Sequence, residues 1–115
     1  MSLEYGNINS ALAKVAASAS GGGVTPTFTG ASPGFNPTGA GAAHTATGVY
    51  DLVLDTPLAA SSQACIFVTA ESTSFDTNIS IEHVSDTVKR VRTGISGAAS
   101  DLVGFNICVM QRSGG

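Results

Sequence analysis

The chain has 115 residues, 43% hydrophobic and 11% charged, with a net charge of −3 at neutral pH. That length suits one domain, and five Lys and Arg residues against eight acids exclude a polybasic surface able to displace counterions from nucleic acid. No run is dense enough in large apolar residues for a membrane span, and Met1–Gly23 lacks the basic start and continuous apolar centre of a signal peptide, so folding in the cytoplasm is expected.

The two ends of the chain differ in character. Of thirteen charged residues only Glu4 and Lys14 precede Gly48. Residues 1–47 are therefore read as an N-terminal helix and a docking arm, and 48–115 as the sandwich core. Over residues 8–19, Ile8, Leu12, Val15 and Ala19 recur at helical spacing, with Asn7 or Asn9 as the cap, and Gly21–Gly23 ends the pattern. A helix of about a dozen residues is marginal alone, so Ile8, Leu12 and Val15 become candidates for docking on a partner.

From Val24 to Ala46 the chain is rich in Gly, Ala, Thr and Pro. Val24–Thr29 is strand-like, but Pro26 restricts it to an edge. Ser32-Pro33-Gly34 and Asn36-Pro37-Thr38-Gly39 are turn sequences. Phe28 and Phe35 are large side chains in this plain segment, and they complete the set of candidate anchors. The whole segment reads as an extended arm laid on a surface, its own or a neighbour's.

Period-two patterning begins at Gly48. Val49–Asp55 places Tyr50, Leu52 and Leu54 on one face. Ala64–Glu71 is apolar on both faces and is expected to be a central strand. Asn78–Val84 and Val88–Thr93 predict a hairpin whose loop Ser85-Asp86-Thr87 sets Ile81 opposite Val91 and Glu82 opposite Arg90. Gly94–Leu102 reads as a loop of small residues. Val103–Gln111 is the last strand, with Phe105, Ile107 and Val109 on one face and Asn106, Cys108 and Met110 on the other. Short strands separated by turns predict an all-β antiparallel sandwich or barrel. Cys65 and Cys108 lie within strands and are expected to be small buried hydrophobes.

Chemistry-bearing patterns are sparse, so no catalytic, cofactor-binding or metal-ligating residues are assigned. His44 and His83 belong to no nucleophile motif, and the acids are dispersed. Asp51 and Asp55 stand about 13 Å apart along a strand, too far for a carboxylate pair. No CxxC, HExxH, GxSxG or P-loop occurs. In "VKRVR" (Val88–Arg92), Arg90 and Arg92 share a face, and both are candidates for charge pairing at a subunit interface.

Two motifs carry a resemblance. "GVYDLVLD" (Gly48–Asp55) resembles the Gly-x-Tyr-x-aliphatic strand that opens the core of trimeric jelly-roll modules. "DLVGFNICVM" (Asp101–Met110) resembles their closing strand, and "VRT" (Val91–Thr93) a strand between the two. The chain thus looks like the small β-modules of tailed-phage virion proteins, distantly similar to the complement and tumour-necrosis-factor head fold. The resemblance covers roughly residues 48–111. It implies a jelly-roll-like sandwich of six to eight strands and a homo-oligomer, with a trimer favoured. Such modules usually follow a long fibre, whereas here a short helix and arm precede the sandwich. The expectation is therefore a head-decoration or minor capsid component, assembled in the host cytoplasm and bound to capsid or other virion proteins. The alternative is a receptor- or glycan-binding tip module of a tail fibre. Neither a nucleic-acid nor a membrane partner is expected.

Overall fold

The computed structural model describes residues 8–55 and 64–112, with the side chains at 8, 9, 64, 111 and 112 outside that description. Among the described residues the chain is all-β. Its strands are β1 (Ile8–Ala16), β2 (Thr27–Phe28), β3 (Ala43–Ala46), β4 (Val49–Val53), β5 (Ala64–Glu71), β6 (Thr77–His83), β7 (Val88–Ile95), β8 (Ala98–Ala99) and β9 (Gly104–Arg112). One sheet has the order β2-β1-β9-β5; the other runs β3-β4-β7-β6, with β8 paired to β7. Every ladder is antiparallel. The inner faces supply one core: Ala11, Ala13, Val15, Phe105, Ile107 and Val109 from the first sheet, and Tyr50, Leu52 and Val91 from the second. This arrangement is that of a small β-sandwich.

The expected N-terminal helix is a strand. Residues 8–16 carry two periodicities at once, because Val15 belongs to both the helical stripe and the alternation Ala11, Ala13, Val15. These three residues are buried, while Ser10 and Leu12 are exposed. They sit opposite Val109, Ile107 and Phe105 in β9, so small residues face large ones. The loop at Gly34 closes on Ala11 so tightly that a Cβ at 34 would collide with it, and the Leu12 amide donates to Pro33 O at 2.9 Å. Pairing on both sides of β1 outweighs the helical preference of alanine. Asn9 therefore lies within a ladder, and Asn7 lies outside the described residues.

The arm rests on its own sandwich. Its two expected turns close through Phe35 N–H to Ser32 O (3.0 Å) and Gly39 N–H to Asn36 O (3.2 Å). Between them Phe35 bridges to Leu54, and Asn36 N–H and Asp55 N–H bond across to Val53 O and Gly34 O at 2.8 Å. The division drawn at residue 47 thus marks a change in composition but not in packing, since one core draws on both sides of it.

The hairpin register is the expected one, with Ile81 opposite Val91 and Glu82 opposite Arg90. Two other expectations are corrected. β5 is the edge of its sheet rather than central; its apolar outer face faces outward, uncovered by further strands among those described. The small-residue stretch after residue 94 is also partly strand. β7 runs on to Ile95, turns through Ser96 and Gly97 (φ 54° and 81°), and returns as β8. Positive φ at both central residues is the two-residue turn that matches strand twist.

Candidate functional site

The outer face of the first sheet carries an apolar row. Cys108 in β9 is directly opposite Leu12 in β1 and Phe67 in β5. One rung along, Met110 is opposite Ser10 and Cys65. Leu12 is 53% exposed and Phe67 58%, although such side chains gain about 1.5–3 kcal/mol each from full burial. With strands about 4.8 Å apart, these side chains form one contiguous patch. A Lys14–Glu71 ion pair at 3.0 Å lies to one side, both side chains nearly half exposed. The two cysteines are free thiols, Cys65 exposed and Cys108 half-buried. The expectation of two buried hydrophobes, drawn from their placement within strands, is corrected: both lie on the outer face of the sheet and neither is fully buried.

The other expected docking residues serve the protein's own core. Val15 and Phe35 are buried, and Phe28 packs edge-on to Phe35 with ring centroids 6.1 Å apart. Leu12 is the member of the set that faces outward, and the side chain of Ile8 lies outside the described residues. Arg90 and Arg92 lie on the outer face of the second sheet, both engaged within the chain. Arg90 clasps Asp51 through Nε–Oδ1 (2.7 Å) and Nη2–Oδ2 (3.1 Å), and Arg92 donates to Glu82.

A second cluster was not foreseen. His44, read as part of the arm, is completely buried and stacks on Tyr50 at 4.0 Å. Its Nε2 is 3.1 Å from Asp101 Oδ1, and its Nδ1 is 3.1 Å from Ser18 Oγ. An ionised carboxylate only accepts, so Nε2 is the donor of that pair, and in the neutral imidazole Nδ1 accepts from the Ser18 hydroxyl. Asp101 Oδ1 also accepts from Gly48 N–H (2.6 Å) and from the Tyr50 hydroxyl (3.2 Å). Burial, reinforced by the Asp101 charge and hydrogen bond, pushes the Tyr50 phenol above its ordinary range.

This chain of groups has the connectivity of nucleophile, base and orienting acid. Acyl transfer also needs oxyanion donors beside the nucleophile. The neighbouring Gly21 amide is already spent on the His44 carbonyl, at 2.9 Å, and the imidazole is sealed beneath the sheet. The cluster instead pins the end of β1, the strand β3 and the lead into β9 around one carboxylate. Among the described residues no three His, Cys, Asp or Glu side chains gather as they would around a metal ion.

Lys89 is buried as well. It projects to the opposite face from Arg90, and its Nζ donates to His83 Nδ1 (2.6 Å) and Ser85 O (2.7 Å). Burial lowers its pKa, with Asp86 opposing in part. The folded state thus binds this proton less tightly than the unfolded chain does. Lys89 therefore makes stability rise with pH between its lowered value and the ordinary lysine value, about 10.4. Lys89→Met is expected to remove that rise and to stabilise the protein by about 1 kcal/mol at neutral pH, since a buried charge is replaced by a side chain of similar reach. Urea unfolding of both proteins at several pH values checks this: a variant less stable at neutral pH, or one with an unchanged pH slope, contradicts it.

Comparison with protein-family models, curated proteins and solved structures returns no match.

Proposed function

We propose that this chain is a structural component of a bacteriophage virion, a head-decoration or minor capsid protein that acts by burying surface rather than by catalysis. The observation carrying this reading is the uncovered row Leu12–Cys108–Phe67, with Met110 beside it, on a sheet whose other face is a well-packed core. Contiguous exposed apolar surface of this kind marks an interaction site. The virion assignment rests on the resemblance of Gly48–Asp55 and Asp101–Met110 to phage modules, and the partners are copies of the chain, as a trimer, together with capsid proteins. The docking surface in this reading is the sheet face and not the arm, because the arm packs on its own sandwich.

Light scattering coupled to size-exclusion chromatography tests the assembly. The full chain is expected to elute as an oligomer, and Phe67→Lys is expected to elute as a monomer with unchanged circular dichroism. A desolvated lysine at the centre of an apolar contact costs several kcal/mol, enough to shift association at least a hundredfold. A monomeric wild type, or an oligomeric Phe67→Lys, removes the sheet face as the interface. Mass spectrometry of purified particles tests the virion assignment separately.

A further inference from the structure

The second sheet carries an open cleft on its outer face, remote in register from the apolar row. It encloses about 550 Å³, within the range of about 300–1,000 Å³ typical of small-ligand sites. Four polar residues line it; Thr93 is buried with its hydroxyl donated to Ser100 O, which leaves Asn78, Ser80 and Arg92. Ser80 is directly opposite Arg92 across the β6–β7 ladder, and Asn78 is two residues from Ser80, on the same face. The rest of the lining is apolar, with Val49 and Ile79 beside a stretch of small residues that includes Gly94, Ala98 and Ala99. Gly94 lacks a side chain for a structural reason, since a Cβ there would stand 2.7 Å from Ala98 O. The hairpin that folds β8 back onto β7 therefore leaves a low floor of glycine and alanine beside a guanidinium, an amide and a hydroxyl.

We propose that this cleft binds a monoanionic saccharide unit bearing a carboxylate, such as a uronic acid residue. Arg92 uses one of its five donors on Glu82 among the described residues, and both side chains are about half exposed. Such a pair is worth at most about 1 kcal/mol, so a ligand carboxylate can take the guanidinium in its two-pronged geometry at little cost. Asn78 and Ser80 together offer donors and acceptors for ring hydroxyls, and the Gly94–Ala98–Ala99 wall suits the aliphatic face of a sugar. Asp51, Glu82, Arg90 and Arg92 on this face balance one another, so a ligand carboxylate competes with Glu82 for the guanidinium, and a phosphate dianion would meet greater repulsion than a monoanion.

Amide shifts in two-dimensional NMR spectra of the full chain, titrated with glucuronate, glucose, acetate and a tripeptide with a free C-terminus, test the proposal. Glucuronate is expected to shift the amides of Asn78, Ser80, Gly94 and Ala98 saturably in the millimolar range, at least tenfold more tightly than the other three. Arg92→Gln should weaken glucuronate at least tenfold, whereas Glu82→Gln, which frees the guanidinium, should tighten it several-fold. Ala99→Phe, at an exposed position, should block binding while leaving the ion pair in place. Equal binding of acetate or tripeptide, absence of saturable shifts, or Arg92→Gln and Glu82→Gln moving affinity in the same direction would each overturn it.

Discussion

Replacing Asp101 with alanine is expected to cost about 3 kcal/mol or more, because it strands three donors at once. His44 Nε2–H, Gly48 N–H and the Tyr50 hydroxyl all converge on Asp101 Oδ1, and His44 and Tyr50 are buried. An unsatisfied buried donor costs about 1–3 kcal/mol; Asp101 is itself about one-quarter exposed, so entering water moderates the sum. For a domain of this size the loss corresponds to a fall in Tm on the order of 15 °C. Asp101→Asn retains one acceptor oxygen but no charge, and should fall between the two. Differential scanning calorimetry measures all three proteins. Alanine within about 1 kcal/mol of wild type would show that the network contributes little.

A loss of similar size is expected for Gly48→Ala, by a different route. Gly48 sits at φ +73°, and a Cβ there would collide with Thr93 O. That carbonyl accepts from Ser100 N–H, while Thr93 N–H donates back to Gly48 O at 2.8 Å. Relieving the clash therefore disturbs both the β3–β4 turn and the link from β7 to the segment after β8. Left-handed backbone costs about 1–2 kcal/mol for a residue with a Cβ, and the displaced carbonyl adds to this, for about 3 kcal/mol in all. Gly97→Asn is the control: its φ is +81°, but nothing lies within 4 Å of the added Cβ, and asparagine tolerates this region. Urea unfolding should place Gly97→Asn within about 1 kcal/mol of wild type; a Gly48→Ala protein equally stable would contradict the steric account.

Much of the sandwich was legible where one residue in two is both large and apolar. Tyr50, Leu52 and Leu54 alternate without interruption, as do Phe105, Ile107 and Val109, and all six are buried. The β6–β7 register followed from matching Ile81 with Val91, since the alternative sets an aliphatic side chain against an arginine. β1 was misread because two of its three buried inward positions are alanines, whose burial depends on the bulk of Val109 and Ile107 opposite them. That bulk belongs to a segment far along the chain. The placement of β5 failed for a related reason: apolar side chains on both faces of a strand signal two contacts, and one of them need not lie within the same molecule. The His44–Asp101 pair spans 57 residues, so no local pattern records it. The available signals were a histidine isolated among small uncharged residues and an aspartate just ahead of the closing strand.

The pairing of β1 with β9 has a consequence for how the protein is made. Gly104 is opposite Ala16 and Arg112 opposite Ile8, so the earliest described strand waits for the latest before either side of that ladder can form. A ribosome makes β9 well after β1, and synthesis proceeds at about 5–20 residues per second. For several seconds the nascent chain therefore holds a β1 open along the edge that β9 will occupy, and a half-built sheet. Distant pairings of this kind also slow folding itself, to milliseconds or longer. During that interval chaperones have access to the nascent chain, and a mutation that weakens β9 would first appear as aggregation during expression rather than as a lower melting temperature.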